Sequence, residues 1–267
     1  DPEMSRGLGD VYKRQEQLFA LLPRKMKNVA DYLLPADAEP EQIQNVIDRE
    51  TDLLRMMETQ MQALPSNDSK EKTLLEEWNL SITPVNNEKE LRQIKRHMGH
   101  SADCFSKAFR VKNSNRDNAF WNYYDKHNYH KEDIHYWYHG SRNMNCLSIL
   151  HNGLILNPKA PKVGHMFGYG IYLAPKAKKS IGYTSLNGSF WVHGTSDTAY
   201  LFVMKTVYKS PYHVYTWTSG MKSLTKSRIS PHDAVFAHAG TSLRNDEVVI
   251  FDDAQVTLQY IIELKQQ

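Results

Sequence analysis

His139 closes the run I-H-Y-W-Y-H-G-S-R at 134–142, where alternating β-branched and aromatic residues stop and the chain turns through Gly140 and Ser141. An imidazole at a strand end suits three kinds of chemistry: holding a metal, moving a proton, or clamping a ligand hydroxyl. His127, His130 and His135 lie just upstream and raise the metal reading first. His135 and His139 share a strand face, yet about 13 Å of strand rise separates them. Two ligands of one zinc each lie about 2 Å from it, so this pair cannot chelate a single ion in extended form. No metal is therefore expected. A nucleophile is disfavoured too. Ser141 follows a histidine without a nucleophile elbow, and Cys146 sits on the apolar side of a short helix; both read as packing or capping residues.

The second chemistry-bearing stretch is V-G-H-M-F-G-Y-G-I-Y-L-A-P-K-A-K-K-S-I-G-Y at 163–183. Gly164, Gly168 and Gly170 fall within seven residues, a density that weakens a strand unless backbone must approach something closely. The stretch matches neither the P-loop nor the dinucleotide-binding glycine pattern. Phe167, Tyr169, Tyr172 and Tyr183 flank it, and aromatic faces around a glycine-lined slot suit a flat heteroaromatic ligand. A plain β-hairpin with core tyrosines is the competing reading.

Elements must hold these residues in place. Leu18, Leu21, Leu22, Met26, Val29 and Leu33 recur at helical steps, and Ile43, Val46, Ile47, Leu53, Leu54, Met57, Met61 and Leu64 do the same. A helical hairpin is expected over 16–64, broken by P-A-D-A-E-P-E, and P-S-N-D-S-K-E-K at 65–72 marks a boundary. From there the pattern turns α+β. Strands are expected at 80–85, 105–113 and 134–138, then in G-I-Y-L-A, A-Y-L-F-V-M-K-T-V-Y, D-E-V-V-I-F and A-Q-V-T-L-Q-Y-I-I-E-L. Helices are expected at 88–98, 117–127 and 144–152, the last ending at Gly153. Strands and helices do not alternate regularly, which favours antiparallel or mixed sheets over a doubly wound parallel one.

Bulk properties narrow the class. The chain has 267 residues, 40% hydrophobic and 24% charged, with a formal net charge of +3. That composition is ordinary for a globular protein, and a pI near 8.6 permits nucleic-acid contact without arguing for it. Two cysteines, Cys104 and Cys146, build no disulfide framework, so an intracellular site is expected. No apolar run has bilayer-spanning length, and no membrane partner is expected. Residues 1–15, D-P-E-M-S-R-G-L-G-D-V-Y-K-R-Q, lack an apolar period and resemble translated sequencing-adapter read-through. They are taken as extraneous, with upstream domains expected to be missing.

Three separated pieces agree in order and spacing: Y-H-G-S-R-N-M-N (138–145), H-M-F-G-Y-G-I-Y-L-A-P-K-A-K-K-S-I-G-Y (165–183) and S-L-R-N-D-E-V-V-I-F-D-D-A-Q-V-T-L-Q-Y-I-I-E-L (242–264). Together they resemble the catalytic domain of the poly(ADP-ribose) polymerase family, the H-Y-E branch of the NAD-dependent ADP-ribosyltransferases. The likeness runs from near Leu75 to the C-terminus. The helical segment before it resembles a shortened form of the family's α-helical regulatory domain.

The resemblance implies an α+β ADP-ribosyltransferase fold: two antiparallel or mixed β-sheets with flanking helices over 73–267, preceded by a small all-α domain over 16–72. It implies NAD+ as co-substrate and His139, Tyr172 and Glu247 as the catalytic set. His139 would hydrogen-bond a ribose hydroxyl, while Gly140 and Ser180 would hold the nicotinamide amide. Tyr183 would stack on the nicotinamide ring, with Tyr172 on the opposite wall. Ser141 and Asn145 would contact the adenosine half, and Met166 and Lys179 would line the acceptor side. Glu247 with Met166 favours chain elongation over single transfer. Protein side chains are the implied acceptors, with DNA a partner through N-terminal modules upstream. The implied compartment is the nucleus in a eukaryote or the cytoplasm in a bacterium. The alternatives are a mono-ADP-ribosyltransferase acting on protein or nucleic acid, and a non-enzymatic NAD- or ADP-ribose-binding module. Ile155, Tyr169, Pro175, Thr225 and Ser227 depart from the family pattern, the last two in a way that bears on acceptor choice.

Overall fold

Capping chemistry sets the first well-defined helix. Asn87 accepts a hydrogen bond from the Glu90 backbone N–H at 3.1 Å, Glu88 and Glu90 fill the first turn, and Lys95, Arg96 and His97 fill the last. Each charge opposes the end of the helix dipole it faces. Gly99, at φ 60°, ends the helix where a side chain would be strained. This is α2 (Glu88–Met98); α1 (Leu74–Glu77) precedes it. The structure is a computed structural model that describes residues 72–156 and 166–266, with scattered positions between 39 and 54. The chain divides into two compact units, 1–46 and 47–267. The helical hairpin expected over 16–64 and the segment 1–15 lie outside the described residues, apart from scattered helical positions between 40 and 54.

Five strands form one antiparallel sheet in the order β1 (Leu80–Pro84), β2 (Phe105–Asn113), β9 (Val256–Lys265), β5 (Thr198–Val207), β3 (Ile134–Gly140). Four more form a second sheet in the order β4 (Ile171–Leu173), β8 (Glu247–Ile250), β7 (Ala234–Ala237), β6 (Pro211–Val214). Within it β6 and β7 run parallel and the other pairs antiparallel. The α-helices that follow are α3 (Ser114–Lys126), α4 (Cys146–Asn152), α5 (Ala177–Ile181) and α6 (Lys226–Ile229), with short 3-10 turns between elements. The architecture is α+β, with one antiparallel and one mixed sheet.

Strand β5 reads almost uniformly apolar because both of its faces are buried. Phe202 and Met204 point into a core shared with Ile171 and Leu173 of β4, Val248 and Ile250 of β8, and Leu258 of β9. Leu201 and Val203, on the other face, pack with Ile94 and Met98 of α2, Ala177 of α5 and Tyr138 of β3. The first core joins the two sheets; the second lays α2 and α5 across the back of the first. Tyr138 and Ala174 exchange backbone hydrogen bonds at 2.9 and 2.8 Å, so the end of β4 bridges the edge strand β3 to the second sheet. That seam is where the conspicuous residues of the sequence meet.

Candidate active site

The seam is built by register. Strand β4 pairs with β8 through Tyr172↔Val249 and Leu173↔Val248, and its next residue, Ala174, pairs with Tyr138 of β3. His139, one residue past Tyr138, and Glu247, one residue before Val248, therefore flank the same short strand. His139 Nδ1 lies 3.0 Å from the Tyr172 carbonyl oxygen, an acceptor only, so Nδ1 carries the proton and donates. Burial holds the His139 pKa below the usual histidine value, which keeps the ring neutral. Nε2 then presents a lone pair.

Gly140 is required by a protein contact. A Cβ at this position would lie 1.7 Å from the Ser180 carbonyl oxygen, so only a glycine lets α5 lie against the end of β3. The contact brings Ser180, a buried residue of α5, beside Gly140. The Ser180 carbonyl also accepts from the Tyr183 backbone N–H at 3.0 Å, which sets the turn presenting the Tyr183 ring. From the same helix Lys179 forms an ion pair with Glu247, tying α5 to β8. Burial pulls the Lys179 pKa down, opposed by the Glu247 carboxylate. Burial pushes the Tyr183 hydroxyl up to about 12, and the nearby Glu247 charge adds to the shift. Tyr172 is raised by burial and by Glu247 as well. Lys179, Tyr172 and Tyr183 thus all feel the one carboxylate.

The glycine-rich stretch makes close backbone approaches within the protein. A Cβ on Gly168, at φ +83°, would meet the Leu224 carbonyl oxygen at 2.0 Å, and one on Gly170 would meet Val249 Cγ1 at 2.4 Å. Gly168 and Gly170 let the loop sink onto its protein neighbours; Gly164 lies outside the described residues. The Tyr172 hydroxyl closes this loop, accepting from the Phe167 N–H at 2.9 Å and donating to the Gly168 carbonyl at 2.8 Å. Met166 packs against the buried cluster that includes Phe167 and Val249, and its carbonyl accepts from Trp217 Nε1 at 2.7 Å.

Beyond His139, Asn145 Nδ2 donates to Ser141 Oγ at 2.9 Å. Asn145 Oδ1 is buried with no hydrogen-bond partner. A buried orphan acceptor fits a donor hydroxyl brought by a ligand. Two of the upstream histidines, His127 and His135, are held in aromatic stacks. His135 stacks between Trp137 and Tyr208, at 5.5 and 4.2 Å, and His127 stacks on Tyr123 at 4.0 Å. Among the described residues no group of three or more His, Cys, Asp or Glu could hold a metal ion. Burial pushes the Cys146 thiol up to about 12, which leaves it a packing group.

The poly(ADP-ribose) polymerase catalytic domain matches residues 88–266, which include every element of this seam. The chain belongs to that family. The poly(ADP-ribose) polymerase catalytic domain is also what the three sequence motifs resemble, so family, fold class and enzyme class agree. The poly(ADP-ribose) polymerase of Drosophila melanogaster is 31% identical over 147 residues, covering 48% of this chain and 15% of the relative. Poly(ADP-ribose) polymerase 1 of Gallus gallus is 31% identical over 48% of this chain and 14% of the relative. Poly(ADP-ribose) polymerase 2 of Arabidopsis thaliana is 25% identical over 71% of this chain and 34% of its own length. The chain thus spans only a minor part of the relatives it matches.

Three residues beside the seam escaped the sequence reading. Trp191 stacks on Tyr183, Phe190 sets its edge against Trp191, and the Arg244 guanidinium lies over Phe190. Their signal was an adjacent Phe-Trp pair inside the polar loop S-L-N-G-S-F-W-V-H-G, out of place in a turn.

Proposed function

We propose that this chain cleaves NAD+, transfers its ADP-ribose to protein side chains and adds further ADP-ribose units to the first. The observation that carries the reading is the convergence on Glu247 of Lys179, Tyr172 and Tyr183, with His139 fixed to the Tyr172 carbonyl.

In this reading the nicotinamide ring lies between Tyr183 and Tyr172, its amide held by the Gly140 backbone and Ser180. His139 Nε2 accepts a hydrogen bond from a ribose hydroxyl, and Asn145 Oδ1 accepts one from the adenosine half. The bond between the ribose anomeric carbon and the pyridinium nitrogen breaks, and its electron pair stays on nitrogen, so nicotinamide leaves neutral without a general acid. Positive charge develops on the ribose, as in other oxocarbenium-like displacements. The Glu247 carboxylate stabilises that charge through a ribose hydroxyl and takes up the proton that the acceptor loses as its oxygen bonds to the anomeric carbon. Lys179 holds Glu247 in place, and Met166 lines the acceptor side.

The test is incubation with labelled NAD+, with and without nicked DNA, and separation of products by size. A ladder of growing adducts is expected. A single adduct on each acceptor would replace elongation by mono-ADP-ribosylation, and no covalent label would reduce the site to a binding module. Stimulation by nicked DNA would add DNA as a regulatory partner.

A further inference from the structure

A second ring backs the one proposed to hold nicotinamide. Trp191 stacks on Tyr183 with centroids 5.8 Å apart and planes 18° from parallel. Two local features seat it there. The Trp191 backbone N–H donates to the Gly182 carbonyl at 2.9 Å, and a Cβ on Gly182 would lie 2.9 Å from Trp191 Cδ1. The loop that carries Trp191 is tied at both ends. Asn187 N–H donates to the Ser196 carbonyl at 2.8 Å, Ser196 N–H to the Ser185 carbonyl at 2.9 Å, and Gly194 N–H to Ser189 Oγ at 2.8 Å.

The stack then continues through a second aromatic ring to a guanidinium. Phe190 meets Trp191 edge-on, with centroids 4.6 Å apart, and the Arg244 guanidinium sits 5.7 Å from the Phe190 centroid. Arg244 stands three residues before Glu247 on the segment leading into β8. Phe190 and Trp191 remain 58% and 51% exposed, so core formation does not account for them.

We infer that Trp191 is a positioning residue for the donor: it fixes the orientation of the Tyr183 ring on which nicotinamide stacks, with Phe190 and Arg244 bracing Trp191 in turn. The inference rests on the reading of Tyr183 as the nicotinamide wall. A ring that keeps one face open for a ligand has no protein contact there to stop it turning. Packing against Trp191 supplies that restraint.

The test compares NAD+ affinity by calorimetry, and kcat for nicotinamide release, across variants of the full chain. Trp191→Ala is expected to raise the NAD+ Kd roughly tenfold, the scale of one lost aromatic pair. The kcat at saturating NAD+ is expected to stay within about threefold, because ground state and transition state lose the same stacking. Trp191→Phe is expected to restore the Kd. Trp191→Leu keeps apolar bulk without a ring, and serves if the alanine variant does not fold; it too is expected to raise the Kd. Wild-type Kd in Trp191→Leu, or a lowered Tm with unchanged Kd in Trp191→Ala, would overturn the inference. Tyr183→Ala separates the two levels. If it leaves the Kd unchanged, the nicotinamide-wall reading itself falls. If it raises the Kd while the Trp191 variants do not, only the inference about Trp191 falls.

Discussion

At His139 the position of one proton decides the residue's role. Nδ1 is committed to the Tyr172 carbonyl and burial disfavours the imidazolium, so in the proposed reading the ring is a fixed acceptor and the carboxylate of Glu247 is the reactive group. His139→Ala is expected to raise the NAD+ Kd by about tenfold, the scale of one hydrogen bond in a partly buried site. His135→Ala is expected to leave it unchanged, because that ring is enclosed by Trp137 and Tyr208. Calorimetry checks both, and an unaltered Kd in His139→Ala would make His139 a strand-end packing residue. The type and order of the proposed site residues were legible in three short motifs. The reason for Gly140 was not, because its constraint is a carbonyl forty residues away, and a one-dimensional pattern carries no trace of that contact.

At the scale of elements, most strands were readable, the short β4 and β8 among them, and β6 and β7 were not. The apolar run of β5 and the alternation of β2 announced themselves through burial on two faces or one. Strands β6 and β7 have four residues each and no longer apolar run around them, and Tyr212 and His213 of β6 are exposed. Helix α5 was hidden for a similar reason. Its five residues follow Lys176, which makes no side-chain cap, so no start signal marks it. Its place depends on the missing side chain at Gly140. Gly140→Ala is expected to force α5 off β3, destabilising the fold by about 1–3 kcal/mol as overpacking does. NAD+ binding should fall with it, since Ser180 and Tyr183 ride on that helix and its turn. Gly220→Ala is the control, because a Cβ there meets nothing within 4 Å. Thermal unfolding and calorimetry of the two variants check this, and a Gly140→Ala protein with wild-type Tm and affinity would contradict it.

At the scale of the whole molecule, two sheets share one core and leave their seam to the site. Strand β4 has only three residues, yet it sets the distance between His139 on one sheet and Glu247 on the other. No single sequence segment encodes that distance; it emerges when both sheets pair with β4. The central claim is that this seam releases nicotinamide from NAD+ through the Glu247 carboxylate. The most direct measurement is the rate of nicotinamide release by the wild-type chain and by Glu247→Gln at saturating NAD+. The account predicts measurable release by the wild-type chain, a fall of about two to three orders of magnitude in Glu247→Gln, and an NAD+ Kd within about threefold of wild type. Release by Glu247→Gln at the wild-type rate would contradict it.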